Sequence, residues 1–333
     1  MENSAGYIVG HLPGPLRVLH GTAVIVTDVL GITGNLLVII LIVTTSKLRT
    51  SHNAFVCNHS LVNLLLSIVF LPFYAVAVLA GKWPEALDPI LCRFSAHFSA
   101  LLWHVSLINH CALAINRYLL VGKSPAVYDK YCGRKPIAFV LLSTWFLAVA
   151  VAVIFHVKFE SQYQPLFSFC ITNVDPGSRL IVTVISSITV VTGMIVIPVQ
   201  YYRIFRVVQA SGRQFLRPTA MVPVALAETA LPRRGPHPRS SASRSVTKEE
   251  IRLIKMSVIV TLVYLLSYVP ISVISVIGMY NPVVFRGARL GVFILSLTPA
   301  VDPVIYAWMN RNIRKACCRV IRCQQLAHAA RRR

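Results

Sequence analysis

Seven apolar stretches recur along this chain: Gly21–Thr45, Ala54–Ala80, Leu91–Leu119, Pro136–Val157, Leu180–Tyr202, Lys255–Met279 and Leu290–Met309. Each is about 20 residues or longer, the length of helix that crosses roughly 30 Å of hydrocarbon. Positive charge lies on one side of them. If the first gap, Ser46–Asn53, faces the cytosol, seven basic residues fall outside: Arg17, Lys82, Arg93, Lys158, Arg179, Arg286 and Arg289. The other 26 of the 33 Lys and Arg then fall inside or at the inner membrane borders. Positive-inside bias puts the N-terminus outside and the tail in the cytosol, which an odd number of spans requires. The expected fold is an all-α membrane protein, a seven-helix bundle with a short interfacial helix after the last span.

A hydrophobic fraction of 56% with 13% charged residues lies outside the range of a soluble domain. A net charge of +22 would in a soluble protein point to nucleic acid. Here the positives sit in loops, where they set topology and meet anionic lipid, and no zinc-finger, RNP or Walker spacing accompanies them. Nucleic acid is not an expected partner; the bilayer is. Met1–His20 lacks a basic region followed by a short apolar core, so the first stretch is expected to direct its own insertion.

Three segments are expected. Residues 1–20 form an extracellular N-terminus, 21–309 the bundle, and 310–333 an amphipathic helix with a basic cytosolic tail. Within the bundle one inner loop is long, about residues 210–247. Leu231–Ser245 is rich in Pro, Arg and Ser without periodicity, and such a segment cannot bury enough apolar surface to order itself. Arg203–Ala210 and Lys248–Lys255 read as continuations of the fifth and sixth helices. In Asn310–Cys323, Ile313, Cys317, Val320 and Ile321 share a face with arginines between them, the pattern of a helix lying along the membrane.

The cysteines divide by compartment. Cys92 and Cys170 fall on the oxidising outer side, where a disulfide is expected. Cys317, Cys318 and Cys323 stand among basic residues just past the last span and are palmitoylation candidates.

Polar groups within lipid are costly and invite a functional reading. The second stretch holds Asn58, His59 and Asn63, the third His97, His104, Asn109 and His110, and the seventh Asp302. Interhelical hydrogen bonding accounts for Asn35, Asn58 and Asn109. An ionisable Asp302 in the last span needs a partner. At the inner end of the third stretch stands Asn116-Arg117-Tyr118, placed so that the arginine can pair with an acid on another helix; Glu250 is the expected acid. Pro303, which removes a backbone hydrogen bond, is expected to break the seventh helix, and Pro270 to bend the sixth.

Taken in order, Gly34-Asn35, Asn58 with Asn63, Cys92, Asn116-Arg117-Tyr118, Trp145, Cys170, Tyr268-Val269-Pro270 and Asp302-Pro303-x-x-Tyr306 resemble the rhodopsin-like G-protein-coupled receptors. The match runs through all seven stretches. Lys47-Leu48-Arg49-Thr50, Leu266-Ser267-Tyr268-Val269-Pro270 and Tyr306-Ala307-Trp308-Met309-Asn310-Arg311 are similar to the insect Moody and trapped-in-endoderm receptors and the vertebrate medium-chain-fatty-acid receptor. Gly31–Asn35 and Ala114–Tyr118 resemble melatonin receptors.

The resemblance implies a cell-surface receptor that converts binding of an extracellular ligand into activation of a heterotrimeric G protein, without catalysis and without a cofactor or metal. Arg117 would be the switch arginine held by Glu250, with Tyr201 and Tyr306 swinging inward on activation. The Cys92–Cys170 bond would tether the second outer loop over a ligand pocket lined by Ser95, Ser99, Leu102, Trp103, Tyr264 and Tyr268. Asn116 stands where the family usually has an acid, which predicts raised basal activity unless Glu250 compensates. Asn63 and Asp302 exchange the family's usual acid and amide across the bundle, and with Ser106 they form a candidate sodium site of oxygen ligands. Ser99 stands where amine receptors carry an aspartate, which points away from an amine; the outer Arg93, Lys158, Arg286 and Arg289 would suit an anionic or lipid-like ligand, with interfacial snorkelling as the plainer reading of those four. The tail from Asn310 to Arg333 has no Ser or Thr. A receptor kinase and arrestin would therefore use Ser240, Ser241, Ser243, Ser245 or Thr247 of the third inner loop.

Rival readings fare worse. A retinal photoreceptor needs a lysine in the seventh span, and Leu290–Met309 has none. A transporter would show internal repeats; a non-signalling seven-helix protein is the other alternative. His97, His104 and His110, seven and six residues apart, lack the i, i+4 pairing of a helical metal site, which argues against an enzyme.

Overall fold

A computed structural model describes residues 13–84, 89–215, 247–278, 281 and 288–319. Helices α1 (Gly14–Thr44), α2 (Ser51–Ala80), α3 (Pro89–Gly122), α5 (Arg134–Lys158), α6 (Arg179–Phe215) and α7 (Lys248–Gly278) are joined by a two-part last span, α8 (Ala288–Ser296) and α9 (Thr298–Met309). Seven spans in this set are long and apolar enough to cross a bilayer. A short α4 (Pro125–Cys132) precedes α5, and residues 311–319 form α10.

Burial assigns each helix its surroundings. On α5, Phe139, Leu142, Phe146 and Val157 are exposed, the all-apolar outward face of a helix made for lipid. On α3, Leu102, Val105, Ala114 and Arg117 are inaccessible, so this helix is the axis of the bundle. Polar rungs tie the spans together. Asn58 Nδ2 donates to Asn109 Oδ1 at 3.0 Å and Trp145 Nε1 donates to Asn58 Oδ1 at 2.8 Å, joining α2, α3 and α5. The interhelical hydrogen bonding expected of Asn58 and Asn109 matches these contacts, and that expected of Asn35 is with the Pro299 carbonyl.

Several elements extend beyond or depart from their expected bounds. Helix α1 starts at Gly14, seven residues before the apolar stretch, because Pro15 in its first turn has the backbone angle that a helix start needs. The extensions of the fifth and sixth helices are present, α6 reaching Phe215 and α7 starting at Lys248. A β-hairpin absent from the sequence reading links α5 to α6: β1 (Ser161–Gln164) pairs antiparallel with β2 (Phe169–Thr172), Tyr163 opposite Cys170.

The break in the last span is also elsewhere than expected. Pro303 lies inside a continuous α9, and the interruption falls at Leu297, just before Pro299. Each proline leaves the carbonyl four residues earlier without its helical donor. At Pro299 the freed carbonyl of Leu295 takes the Thr298 hydroxyl at 2.9 Å. At Pro303 the freed carbonyl of Pro299 takes Asn35 Nδ2 from α1 at 2.8 Å. A donor from another helix therefore keeps α9 regular through Pro303.

After α9, Asn310 Oδ1 accepts from the backbone amides of Asn312 and Ile313 and starts α10. Ile313 and Ala316 of α10 are buried against Val38, Met256 and Tyr306, which fixes the amphipathic helix against the bundle.

Candidate functional site

The expected residues gather at two ends and a middle. At the end carrying the hairpin, Cys92 and Cys170 are disulfide-bonded, which pins β2 to the start of α3. Of the expected pocket residues, Leu102, Trp103, Tyr264 and Tyr268 share one apolar cluster, which Phe167 and Phe169 of the hairpin segment also enter. Phe169 of β2 packs edge-on against Phe70 (ring centroids 5.4 Å) and Trp103 (6.0 Å), and Phe167 packs on Phe169 (5.7 Å). Phe167 is 2% exposed. Between them Ser168 adopts a left-handed backbone with φ of 60°; Arg289 Nε donates to its hydroxyl at 3.1 Å and Arg289 Nη2 to the Pro165 carbonyl at 2.6 Å. Below, Tyr264 stacks on Tyr268 (5.2 Å) and donates its hydroxyl to the Trp103 carbonyl at 2.7 Å. Ser95 and Ser99 donate to carbonyls of their own helix, those of Cys92 and Ala96. Leu102 is fully buried beside them.

In the middle of the bundle, Asn63, Ser106 and Asp302 converge, but on a fourth residue. His59 Nε2 and Asn63 Nδ2 both lie 2.8 Å from Asp302 Oδ2, and Ser106 Oγ is 3.3 Å from His59 Nδ1. All four are at most 2% exposed. The imidazole thus stands between the hydroxyl and the carboxylate that a sodium ion would have to share, and the oxygen set does not fit the ion as it stands. His59 was the residue missing from the sequence grouping. Its signal was the i, i+4 spacing with Asn63, which puts both on the face of α2 turned to Asp302.

A contiguous path leads from there toward the basic end. His110 packs on Tyr264 (4.6 Å), its Nδ1 lies 3.2 Å from Thr261 Oγ1, and the Tyr201 hydroxyl lies 3.4 Å from the same oxygen. Tyr306 is buried nearby in the cluster that holds α10.

At the basic end Arg117 is fully buried. Its Nε donates to Ser257 Oγ on α7 at 3.2 Å, and its Nη1 and Nη2 have no hydrogen-bond partner. Glu250, expected to hold this arginine, acts on it electrostatically while its carboxylate also caps α7: it accepts from the Thr247 backbone amide at 2.8 Å and hydroxyl at 3.0 Å, and its own amide donates to Thr247 Oγ1. That reciprocal pair is a capping box, the local arrangement a Thr-x-x-Glu start favours. Asn116 Nδ2 donates to the Tyr128 hydroxyl of α4 at 3.4 Å, and Arg203 lies 5.5 Å over the Tyr118 ring. Arg117, His52, Leu253 and Asn310 line a cavity of about 1150 Å³ that opens at this end.

Of the modification candidates, Cys318 is exposed and Cys317 half-buried, and burial raises the Cys317 thiol above its ordinary value. Thr247 is exposed, with its hydroxyl in the capping box. Ser240, Ser241, Ser243, Ser245 and Cys323 lie outside the described residues.

Comparison with known proteins gives a consistent answer. Residues 34–306 match the model of the "7 transmembrane receptor (rhodopsin family)". The chain is 26% identical over 316 residues to the alpha-1D adrenergic receptor of Mus musculus, covering 88% of this chain and 55% of that one. It is 26% identical over 306 residues to the melatonin receptor type 1B of Rattus norvegicus (90% and 77%), and 26% identical over 317 residues to human melanopsin (91% and 62%). The chain thus spans about half the length of the adrenergic relatives. Among solved structures, squid rhodopsin superposes with a TM-score of 0.73 at 19% identity, covering 93% of this chain and 87% of that one.

Proposed function

This chain belongs to the rhodopsin family of seven-transmembrane receptors, and we propose that it acts as a G-protein-coupled receptor at the plasma membrane. The N-terminus and hairpin face outside; the basic end faces the cytosol. Binding of an extracellular ligand would move α7 against α3 and open the basic end to a heterotrimeric G protein. The observation that carries this reading is Arg117: fully buried, tied to α7 by one hydroxyl, with two guanidinium nitrogens unpaired in a cavity at the basic end. A buried donor without an acceptor is costly, so this arrangement favours a partner that supplies acceptors from outside the chain.

Ser99 and the aromatic lining around Trp103 and Tyr264 favour a non-amine, apolar or anionic ligand, one that must displace or pack beside Phe167 and Phe169. The path Tyr264–His110–Thr261–Tyr201 connects that region to the Arg117 end. Kinship with the Moody, trapped-in-endoderm and medium-chain-fatty-acid receptors remains part of the proposal, carried by Lys47–Thr50 and Tyr306–Arg311. Palmitoylation is best placed at exposed Cys318. Receptor-kinase phosphorylation and arrestin recruitment are assigned to Ser240, Ser241, Ser243 and Ser245, since the Thr247 hydroxyl already serves the capping box. The melanopsin-like photoreceptor reading lacks a lysine in the last span, and a transporter or non-signalling role finds no feature in its favour.

The test is basal and ligand-driven G-protein activation in cells, across G-protein subtypes, for wild type and Arg117→Ala. A signal that the substitution abolishes supports the reading; a signal unaffected by Arg117→Ala overturns it.

A further inference from the structure

The receptor switch leaves two histidines at the hairpin end unused. His97 of α3 is 4% exposed, and neither of its ring nitrogens has a hydrogen-bond partner. The other histidines of α3 are placed differently: His104 Nδ1 lies 2.7 Å from the Ala100 carbonyl, and His110 Nδ1 lies 3.2 Å from Thr261 Oγ1. A buried imidazole without partners costs about 1–3 kcal/mol that a phenyl ring in the same place would not. Packing alone therefore gives no reason for a histidine here.

What His97 meets is a second imidazole. His156, in the last turn of α5, stands with its ring centroid 5.5 Å away and its plane at 84°. It is half-buried, and histidine χ2 is a broad torsion, so its ring can turn a nitrogen toward the point that His97 faces. Arg93, one turn before His97, donates from Nη2 to the carbonyls of His156 and Val157 and holds the last turn of α5 against α3. The two rings are thus kept within reach of one another by an independent contact.

A zinc ion bound to one nitrogen of each ring at about 2.0–2.1 Å, in tetrahedral geometry, holds the two ring centroids roughly 5 Å apart. The separation here is already near that. We propose that His97 and His156 form a binding site for a divalent transition-metal cation of the zinc type, with water in the remaining positions. Neutral imidazole is the ligand that histidine offers such ions, and the open positions make the ion exchangeable rather than structural. Local charge acts both ways: the C-terminus of α5 presents the negative end of its dipole, while the Arg93 guanidinium opposes a dication. When occupied, the site braces α5 against α3 beside the Cys92–Cys170 bond. Spacing along α3 hides such a site, because its second ligand comes from another helix.

The test is zinc binding by the purified full chain in nanodiscs, read by competition with a zinc-chelating dye and by the thermal unfolding midpoint. G-protein coupling does not enter either readout, so the outcome is independent of the receptor reading. Zinc chloride should raise the wild-type midpoint, and magnesium chloride, whose hard cation prefers oxygen ligands, should not. His97→Phe and His156→Phe keep a ring in place. Each should weaken zinc binding by more than about tenfold, since even a lost outer-shell contact costs roughly 10–100-fold. The double variant should add little further loss, because one ion needs both nitrogens, and His104→Phe should leave the affinity unchanged. A wild type unmoved by zinc, a His97→Phe receptor that binds zinc as tightly as wild type, or an equal response to magnesium would overturn the proposal.

Discussion

At the scale of single residues, the pair at the centre of the bundle makes the sharpest demand. His59 and Asp302 meet at 2.8 Å with both side chains almost wholly buried, and leaving one partner of a buried hydrogen bond unsatisfied costs about 1–3 kcal/mol. His59→Ala should lower the thermal unfolding midpoint of the purified receptor, whereas Asp302→Asn, which keeps an acceptor for His59, should lower it less. Replacing choline chloride by sodium chloride should not move the wild-type midpoint, because the imidazole holds the ground an ion would need. A sodium-stabilised wild type would show that the ion reading of Asn63, Ser106 and Asp302 was sound after all. The neighbouring switch gives a second prediction. Asn116 lies beside Arg117 with its Oδ1 unpaired, so Asn116→Asp supplies a charge-assisted acceptor and should lower basal signalling several-fold in the G-protein assay. The sequence named His59, Asn63, Ser106, Asp302, Asn116 and Arg117, but not Ser257 or Tyr128, and it did not group His59 with Asp302. What it could not supply was geometry: Glu250 acts on Arg117 electrostatically, and its carboxylate also caps the Thr-x-x-Glu helix start, accepting from Thr247 three residues away.

At the scale of elements, the last span shows how distant chemistry decides local shape. Pro299 and Pro303 both remove a backbone donor, and from sequence Pro303 was the expected break. The break is at Leu297 because Asn35, 264 residues from Pro299, restores the carbonyl that Pro303 frees. Asn35→Val should cost about 1–3 kcal/mol by leaving that carbonyl buried and unpaired. Thr298→Val, which exposes the Leu295 carbonyl in a segment already irregular, should cost less; both are read as shifts in unfolding midpoint. If Thr298→Val proved the more damaging, the account of the break would be wrong. The spans themselves were legible because lipid imposes one length and one composition on each. The hairpin was not: its strands have four residues apiece, too few for a period, and Phe167 and Phe169 are held by rings from α2 and α3 and by Arg289 from α8.

At the scale of the whole molecule, the question is which end faces the cytosol. Charge asymmetry is the oldest signal in this chain, visible before any contact is known, and the structure adds a reason for it to hold under mutation. The basic residues at one end are spread over the α1–α2 turn, the start of α5, the extensions of α6 and α7, and α10, so no single loop carries the bias. Cys318 is exposed at that end and Lys82 at the other. A membrane-impermeant maleimide applied to intact cells should therefore label a Lys82→Cys variant and leave Cys318 untouched, with Cys318 reacting only after permeabilisation and removal of its acyl group by hydroxylamine. Once admitted, the reagent should modify Cys318 faster than Cys317, whose thiol is half-buried and held above its ordinary pKa by that burial, leaving less thiolate at neutral pH. Labelling of Cys318 from outside would invert the topology, and with it the side on which Arg117 could meet a G protein.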